Sequence, residues 1–352
     1  MKSHKVLAIQ FKYLGDAVIL TPALRAIAMQ IPNVELHVLV ASEIAPLLEN
    51  IPWITKVWAM PRQRGKLKLM VTLPFIFALR REEFDQSIDF GGNDRGALLS
   101  YLSGAQKRLG PIEYGDPKWT QRICYTEIKS RENPFASYFN LHFELLHALN
   151  VTRPNQLKIE IFIDGSEAES AEKVLPNNYI ICHISTSQPK KDWPLSHWQT
   201  LFYLADEAGI KIIFSAGPNE RERNLLSEFK LMLPEAKTLP AITNLKLFLS
   251  VIKRSKLFVC GDTGPLHFAE GMGVPVLGIF GVGNSIRQVA PIYSEDEIVR
   301  SDVCACDLLS SNADVCLSSE SCMASIQPES VFFRLKRSLN FPDSNMKSMT
   351  LP

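Results

Sequence analysis

The 352-residue chain carries no strong charge of either sign, its formal net charge being +1. Such a balance offers no global electrostatic reason to expect nucleic acid as a partner, so any cationic function has to be local. A long apolar run is missing too. The best internal stretch, residues 71–79 between Lys68 and Arg80, is far short of the roughly 20 residues that cross a bilayer. Near the N-terminus, Lys12 and Asp16 interrupt the apolar character of residues 6–11 before a secretory segment could form. The expectation is a cytoplasmic protein that touches a membrane only at its surface. Gly-x-Gly-x-x-Gly does not follow the first strand-like run, and Gly281-Val282-Gly283 lacks the next glycine and is not at a first turn. That argues against a nicotinamide-dinucleotide enzyme. Short solenoid-type repeats are absent. Cysteine is sparse and odd in number, with seven residues. Cys124, Cys182 and Cys260 stand alone, the last two inside strand-like runs, where a small buried residue is expected.

What is present is an ordinary globular composition, 46% hydrophobic and 21% charged. The length exceeds the roughly 250–300 residues at which one core stops growing, so two domains are expected. Strand-like and helix-like segments alternate, the pattern of parallel sheets covered by helices. In the first half strands are expected at residues 6–11, 34–40, 56–60, 86–90 and 107–110, with helices at 17–30, 66–81, 95–102 and 133–149. Residues 158–164 read as an extended connector. The alternation then restarts, with strands at 179–184, 210–215, 257–260 and 274–280, and helices at 195–208, 219–233, 245–254 and 265–272. The predicted organisation is an N-terminal domain over 1–160 and a C-terminal domain over 161–327. A helix over 328–340 is expected to pack back on the first domain, followed by a flexible tail over 341–352. Two such layers joined by a linker predict a ligand cleft between them.

Four strand-to-helix turns carry the chemistry. After the apolar run ending at Cys260 comes Asp262-Thr263-Gly264-Pro265-Leu266-His267, with Gly273-Val274-Pro275-Val276 soon after. Pro265 suits the first turn of a helix, where its missing N–H would be unused. A strand that ends against a helix start aims backbone N–H groups and the positive helix end at an anion such as phosphate. Asp262 and His267 flank that position and can hold a hydroxylated ligand beside a diphosphate, which suggests a nucleotide-sugar enzyme. The first turn of the chain, Lys12-Tyr13-Leu14-Gly15-Asp16, precedes Thr21-Pro22-Ala23-Leu24. Asp16 is there either as a helix cap or as a carboxylate that takes a proton from an attacking hydroxyl. His183-Ile184-Ser185-Thr186-Ser187 leads into Lys190-Lys191-Asp192-Trp193-Pro194. This hydroxyl-rich loop with two lysines either meets a diphosphate leaving group or lies in solvent with Trp193 as its packing anchor. In Gly217-Pro218-Asn219-Glu220, Glu220 either accepts ribose hydroxyls or favours the helix dipole.

In this order the motifs resemble the heptosyltransferases of glycosyltransferase family 9, which build the inner core of lipopolysaccharide. The resemblance covers nearly the whole chain and is most specific at residues 262–267. It implies an α/β GT-B fold, two Rossmann-like domains with parallel sheets facing across a cleft, acceptor on the N-terminal side and donor on the C-terminal side. It further implies that Asp16 is the general base, that Lys191 contacts the donor phosphates and Glu220 the adenosine, and that Asp262 binds hydroxyls of the transferred sugar. Thr263, Gly264 and His267 would sit beside the diphosphate. Ser185, Thr186 and Ser187 are weaker donor contacts, since many relatives begin this loop with glycine.

The implied reaction is inverting transfer of a heptose from ADP-heptose to a lipid A-linked core oligosaccharide, with no metal or other cofactor and no nucleic acid. Its implied place is the cytosolic face of the inner membrane of a Gram-negative bacterium, held by peripheral contact. Leu14-Gly15-Asp16 after Lys12 looks closer to the branch that adds later heptoses. Arg62, Arg64 and Lys66 form a cationic segment in the acceptor domain, with Arg122 as a second candidate; they are acceptor contacts or a solvated helix start. Cys304, Cys306, Cys316 and Cys322 are spaced more loosely than zinc-finger ligands, and no metal is assigned to them. The alternatives are a same-fold transferase or epimerase using another nucleotide-activated sugar, and a non-catalytic two-lobed sugar-binding protein. The absent secretory segment and the seven cysteines argue against the last.

Overall fold

A computed structural model describes residues 3–62, 69–112, 115–130, 137–281, 297–301 and 321–339. Among these, one compact unit comprises the chain up to Glu167 with Glu270–Gly273, and a second comprises Ala168–Ala269 and the chain from Val274 on. The tail expected over 341–352 lies outside the described residues.

The first unit alternates β1 (His4–Gln10), α1 (Leu14–Ile19), α2 (Thr21–Gln30), β2 (Val34–Ala41), β3 (Lys56–Met60), α3 (Leu69–Arg80), β4 (Gln86–Asp89), α4 (Asp94–Leu102), β5 (Lys107–Ile112), α5 (Trp119–Cys124), β6 (Glu127–Ser130) and α6 (Tyr138–Leu146). Its sheet has the order β3-β2-β1-β4-β5-β6, and every pairing is parallel. The central strand explains its own sequence: Val6, Leu7, Ala8 and Ile9 are all fully buried, as a strand covered on both faces requires. The helix expected over 17–30 is two helices. Pro22 has no N–H to give the Val18 carbonyl, and the Thr21 hydroxyl donates to that carbonyl instead at 2.7 Å, ending α1 and starting α2.

β6 was not legible in the sequence. It is an edge strand with both ends exposed, so it has no buried stripe to betray it. Between β5 and the following helix the backbone leaves no space for a side chain at Gly110, where a Cβ would lie 2.1 Å from the Tyr125 ring. Gly110→Ala is therefore expected to destabilise the protein by about 1–3 kcal/mol through overpacking, read as a lower urea midpoint at unchanged slope. An unchanged midpoint would show that the ring moves aside freely.

The second unit runs α7 (Ala168–Val174), β7 (Ile180–His183), α8 (Leu195–Glu207), β8 (Ile212–Ser215), α9 (Glu220–Met232), α10 (Leu245–Arg254), β9 (Phe258–Gly261), α11 (Gly264–Gly271), β10 (Val276–Phe280), β11 (Ile298–Arg300) and α12 (Pro328–Ser338). Its parallel sheet has the order β11-β10-β9-β7-β8. A parallel bridge from Phe214 to Thr238 extends it past β8. Counted within the unit, the order is then 3-2-1-4-5-6, the same as in the first sheet and the arrangement of dinucleotide-binding folds.

Trp193, Trp198, Phe214 and Phe229 form an aromatic core in this unit, Trp193 and Trp198 meeting edge to face at 4.8 Å. The indole N–H of Trp193 donates to the Ile326 carbonyl at 3.0 Å. That bond ties the segment before α12 to the second unit, and Val331 and Leu335 of α12 are buried in the same cluster. The terminal helix, expected on the first domain, thus packs on α8 and β10. Its apolar stripe is visible in the sequence, whereas the surface that receives it is not.

Candidate active site

Open α/β sheets bind ligands outside the carboxyl ends of their strands, at the point where strand order reverses. In the second unit that point lies between β7 and β9, and both expected donor motifs leave the sheet there. Lys191, from the β7–α8 loop, places Nζ 2.6 Å from Asp262 Oδ2, from the β9–α11 turn. Gly261 permits this approach: a Cβ there would meet Thr186 Cγ2 at 2.9 Å and the Lys191 carbonyl at 3.2 Å. Asp262, Thr263 and Gly264 are partly exposed at the start of α11, so its first-turn N–H groups face an accessible position. His267 is buried. Burial pushes its pKa down to about 4 against the opposing charge of Asp262. At neutral pH it is an uncharged hydrogen-bonding group, and Lys191 is the cation paired with Asp262.

The neighbouring loop is built from the inside. The Ser185 hydroxyl accepts the Gly217 N–H at 2.9 Å and reaches Glu222 Oε1 at 3.4 Å. Thr186 donates its hydroxyl to the Gln188 carbonyl and to Asp192 Oδ1, at 2.7 and 2.8 Å. Arg221 clamps Asp192 Oδ2 at 2.6 Å and also donates to the Thr186 carbonyl. Ser185 and Thr186 are buried and Ser187 is exposed. Of the hydroxyls expected to reach the donor, those of Ser185 and Thr186 therefore hold the loop's shape.

Glu220 is exposed, and the carboxylate turned toward this loop is Glu222. Burial raises its pKa above the usual glutamate value. Its N–H donates to Asn219 Oδ1 at 2.9 Å, and Asn219 Nδ2 donates to its Oε2. The spacing Asn219-x-x-Glu222 is that of a capping box, the signal in the sequence that singles out Glu222 as the inward carboxylate.

In the first unit the reversal falls between β1 and β4. Asp16, in the first turn of α1, accepts the Tyr13 N–H on Oδ2 at 3.0 Å. It therefore does serve as a cap. Burial nevertheless raises its pKa above the ordinary carboxylate range, opposed by the Tyr13 bond and by the charges of Lys12 and Arg62. Arg62 is exposed; its Nε lies 2.5 Å from Glu43 Oε1, and a terminal nitrogen donates to the Lys12 carbonyl. That bond brings Arg62 to the Asp16 turn. Arg64 and Lys66 lie outside the described residues. Arg122 is exposed on α5, donating to the Pro117 carbonyl at 3.0 Å, and no contact of the described residues links it to Asp16.

Asp89, missed in the sequence, closes β4 beside this turn and is fully buried. Its Oδ2 accepts the Tyr125 hydroxyl at 2.6 Å and its Oδ1 the Gly91 N–H at 2.9 Å. Burial raises its pKa from 3.8 to about 6, although the Tyr125 and Gly91 bonds and Lys12 pull it down. The folded protein thus holds a proton that the unfolded chain releases, so its contribution to stability falls as pH rises across that window. Only a strand-ending Asp followed by Gly91-Gly92 marks it in the sequence; Tyr125 arrives through the fold.

Among the described residues, no group of three or more His, Cys, Asp or Glu is placed to hold a metal. Cys304, Cys306 and Cys316 lie outside them, and Cys322 is buried in the core of the second unit.

Three known proteins place these observations. The lipopolysaccharide core heptosyltransferase OpsX of Haemophilus influenzae is 24% identical over 272 residues, 76% of each chain. The ADP-heptose lipopolysaccharide heptosyltransferase II of Escherichia coli superposes with a TM-score of 0.72 at 16% identity, over 96% of this chain and 98% of that one. The Escherichia coli heptosyltransferase WaaC, solved with ADP-2-deoxy-2-fluoro heptose, superposes with a TM-score of 0.67 at 18% identity, over 95% and 99%. The model of glycosyltransferase family 9 (heptosyltransferase) matches residues 73–313, a span that starts after Asp16 and contains both turns around Lys191 and Asp262. That span is well over half of the sequence: the chain belongs to glycosyltransferase family 9, the heptosyltransferases, and has the GT-B fold of its structural neighbours.

Proposed function

We propose that this enzyme transfers a heptose, with inversion, from ADP-heptose to a lipid-linked inner-core oligosaccharide of lipopolysaccharide. The observation that carries the reading is the 2.6 Å pairing of Lys191 with Asp262, which joins a phosphate-seeking cation and a hydroxyl-seeking carboxylate at the β7/β9 reversal. With donor bound, Lys191 turns to the diphosphate, and Asp262 accepts hydroxyls of the sugar. The α11 N–H groups and neutral His267 donate to the phosphate oxygens. Glu222, rather than Glu220, is the carboxylate assigned to shape the adenosine side of the site. Asp16 takes the proton of the acceptor hydroxyl as its oxygen bonds to the anomeric carbon. The bond from that carbon to the diphosphate breaks, and ADP departs with the electron pair. One displacement from the opposite face inverts the centre. Lys191 and the helix end meet the charge that develops on the leaving group, so the chemistry is complete with side chains and backbone alone.

The acceptor is carried by a lipid, so the enzyme works at the cytosolic face of the inner membrane of a Gram-negative bacterium. No helix among the described residues is long and apolar enough to cross a membrane. The test is a thermal-shift panel of ADP- and UDP-sugars followed by transfer to heptose-deficient cores. A true donor stabilises the fold by mass action, about 2.7 kcal/mol at a hundredfold excess over Kd. Stabilisation by UDP-sugars alone would replace ADP-heptose with another donor.

A further inference from the structure

The carboxyl ends of β4, β5 and β6 border a recess open to solvent, with Phe90, Pro111, Lys129, Tyr138, His142 and Glu144 in its lining. Neither the cationic segment near Arg62 nor any motif discussed above includes it. Its position is informative: it opens on the same strand edge as the β1–α1 turn, where open parallel sheets take ligands. A cation already bridges the two places. Lys12, four residues ahead of Asp16, holds Nζ 5.7 Å from the centre of the Tyr138 ring, and its charge acts on both Asp16 and Asp89.

The lining has the chemistry of a site for acidic sugars. Phe90 and His142 meet edge to face at 5.4 Å and make a stiff floor, while Tyr138, half-buried, offers a ring face to sugar C–H groups. Lys129 lies 3.0 Å from Glu127, both side chains close to half exposed. An exposed pair of this kind contributes little to stability, so an anion that enters can displace Glu127 cheaply. Glu144, on α6, also lines the recess.

We infer that this recess binds an anionic sugar of the acceptor, one bearing a carboxylate or a phosphate, with Lys129 and Lys12 holding the anion and Tyr138 under the ring. The choice of ligand rests on the acceptor role proposed for the first unit. Fixing an acidic residue there positions the neighbouring acceptor hydroxyl for Asp16 by a contact remote from the reacting atoms.

The experiment uses the full-length enzyme and its Lys129→Met and Tyr138→Ala variants, leaving Lys12 intact because its charge also acts on Asp16. The probes are heptose-deficient core oligosaccharide freed of lipid, the same oligosaccharide with carboxylates reduced to alcohols, and the same with phosphates removed. Acceptor KM and direct binding by calorimetry are read beside ADP binding. For wild type, removing the recognised anion raises acceptor Kd roughly tenfold or more, the scale of a charged hydrogen bond, and the modification that does so identifies carboxylate or phosphate. Lys129→Met shows the same loss with intact acceptor and no further loss on anion removal. Tyr138→Ala raises acceptor Kd for all three probes, and both variants bind ADP within twofold of wild type. If both variants keep wild-type acceptor KM while wild type transfers normally, the recess is not the subsite and the proposed reaction stands. Absence of binding and transfer with every probe in wild type overturns both.

Discussion

Asp16→Asn is expected to lower kcat by roughly 10²–10⁴-fold, the contribution of a positioned general base, while ADP binding stays within a few-fold. The amide has the same shape and can still accept the Tyr13 N–H that Asp16 accepts at 3.0 Å, so the start of α1 survives. What it cannot do is take a proton. The wild-type pH profile carries a second signature. Burial raises the Asp16 pKa, and a base works only in its ionised form, so activity should fall with decreasing pH at a higher value than an unperturbed aspartate would give. Asp89, with a pKa of about 6, titrates in the same part of the fold. Profiles of Asp89→Asn and wild type separate the two: a limb that persists in Asp89→Asn belongs to Asp16. Near-normal turnover of Asp16→Asn would reduce its role to that of a cap.

Lys191→Ala should cost roughly 10²–10³ in kcat, as expected for removing one preorganised charge from a departing diphosphate. Donor affinity should fall as well. The reason is Asp262, 2.6 Å away: without its partner it leaves an uncompensated negative charge facing the phosphate position. Asp262→Ala in the same chain is therefore expected to recover part of the lost ADP affinity but none of the lost turnover with sugar donor. ADP calorimetry on the four members of this cycle isolates the coupling. A merely structural ion pair predicts something different, namely a shift in melting temperature with ADP affinity unmoved in all four proteins.

The strands most plainly announced by the sequence are those whose side chains are buried on both faces, although the edge strand β3, with Lys56 and Ala59 exposed, was also expected at 56–60. Residues 6–9 in β1 and 258–260 in β9 are fully buried, and a continuous apolar run needs no partner to be recognised. β6 and β11 are half-exposed edge strands, and only pairing with β5 and β10 makes them strands. The carboxylates of the first unit show the same divide. Asp16 could be read because one short motif holds its turn and its cap. Asp89 could not, since its hydroxyl partner Tyr125 lies 36 positions away, and the glycine that makes room for that ring, Gly110, belongs to a third strand segment. Among the residues proposed to meet the donor, Lys191 and Asp262 were legible from local motifs. Ser185 and Thr186 were read as ligand contacts, yet the fold uses their hydroxyls to hold Asp192, Gln188, Gly217 and Glu222 in place.

Local order of residues was enough to determine the alternating α/β class, the strand-to-helix turns and the family, because each depends on neighbours within one or two turns of chain. Tertiary structure alone decided that Asp89 is buried against Tyr125, where α12 lies, and that β4, β5 and β6 open on a recess. Those outcomes depend on groups far apart in sequence competing for the same buried volume, and close packing resolves such competition only when the sheets are assembled.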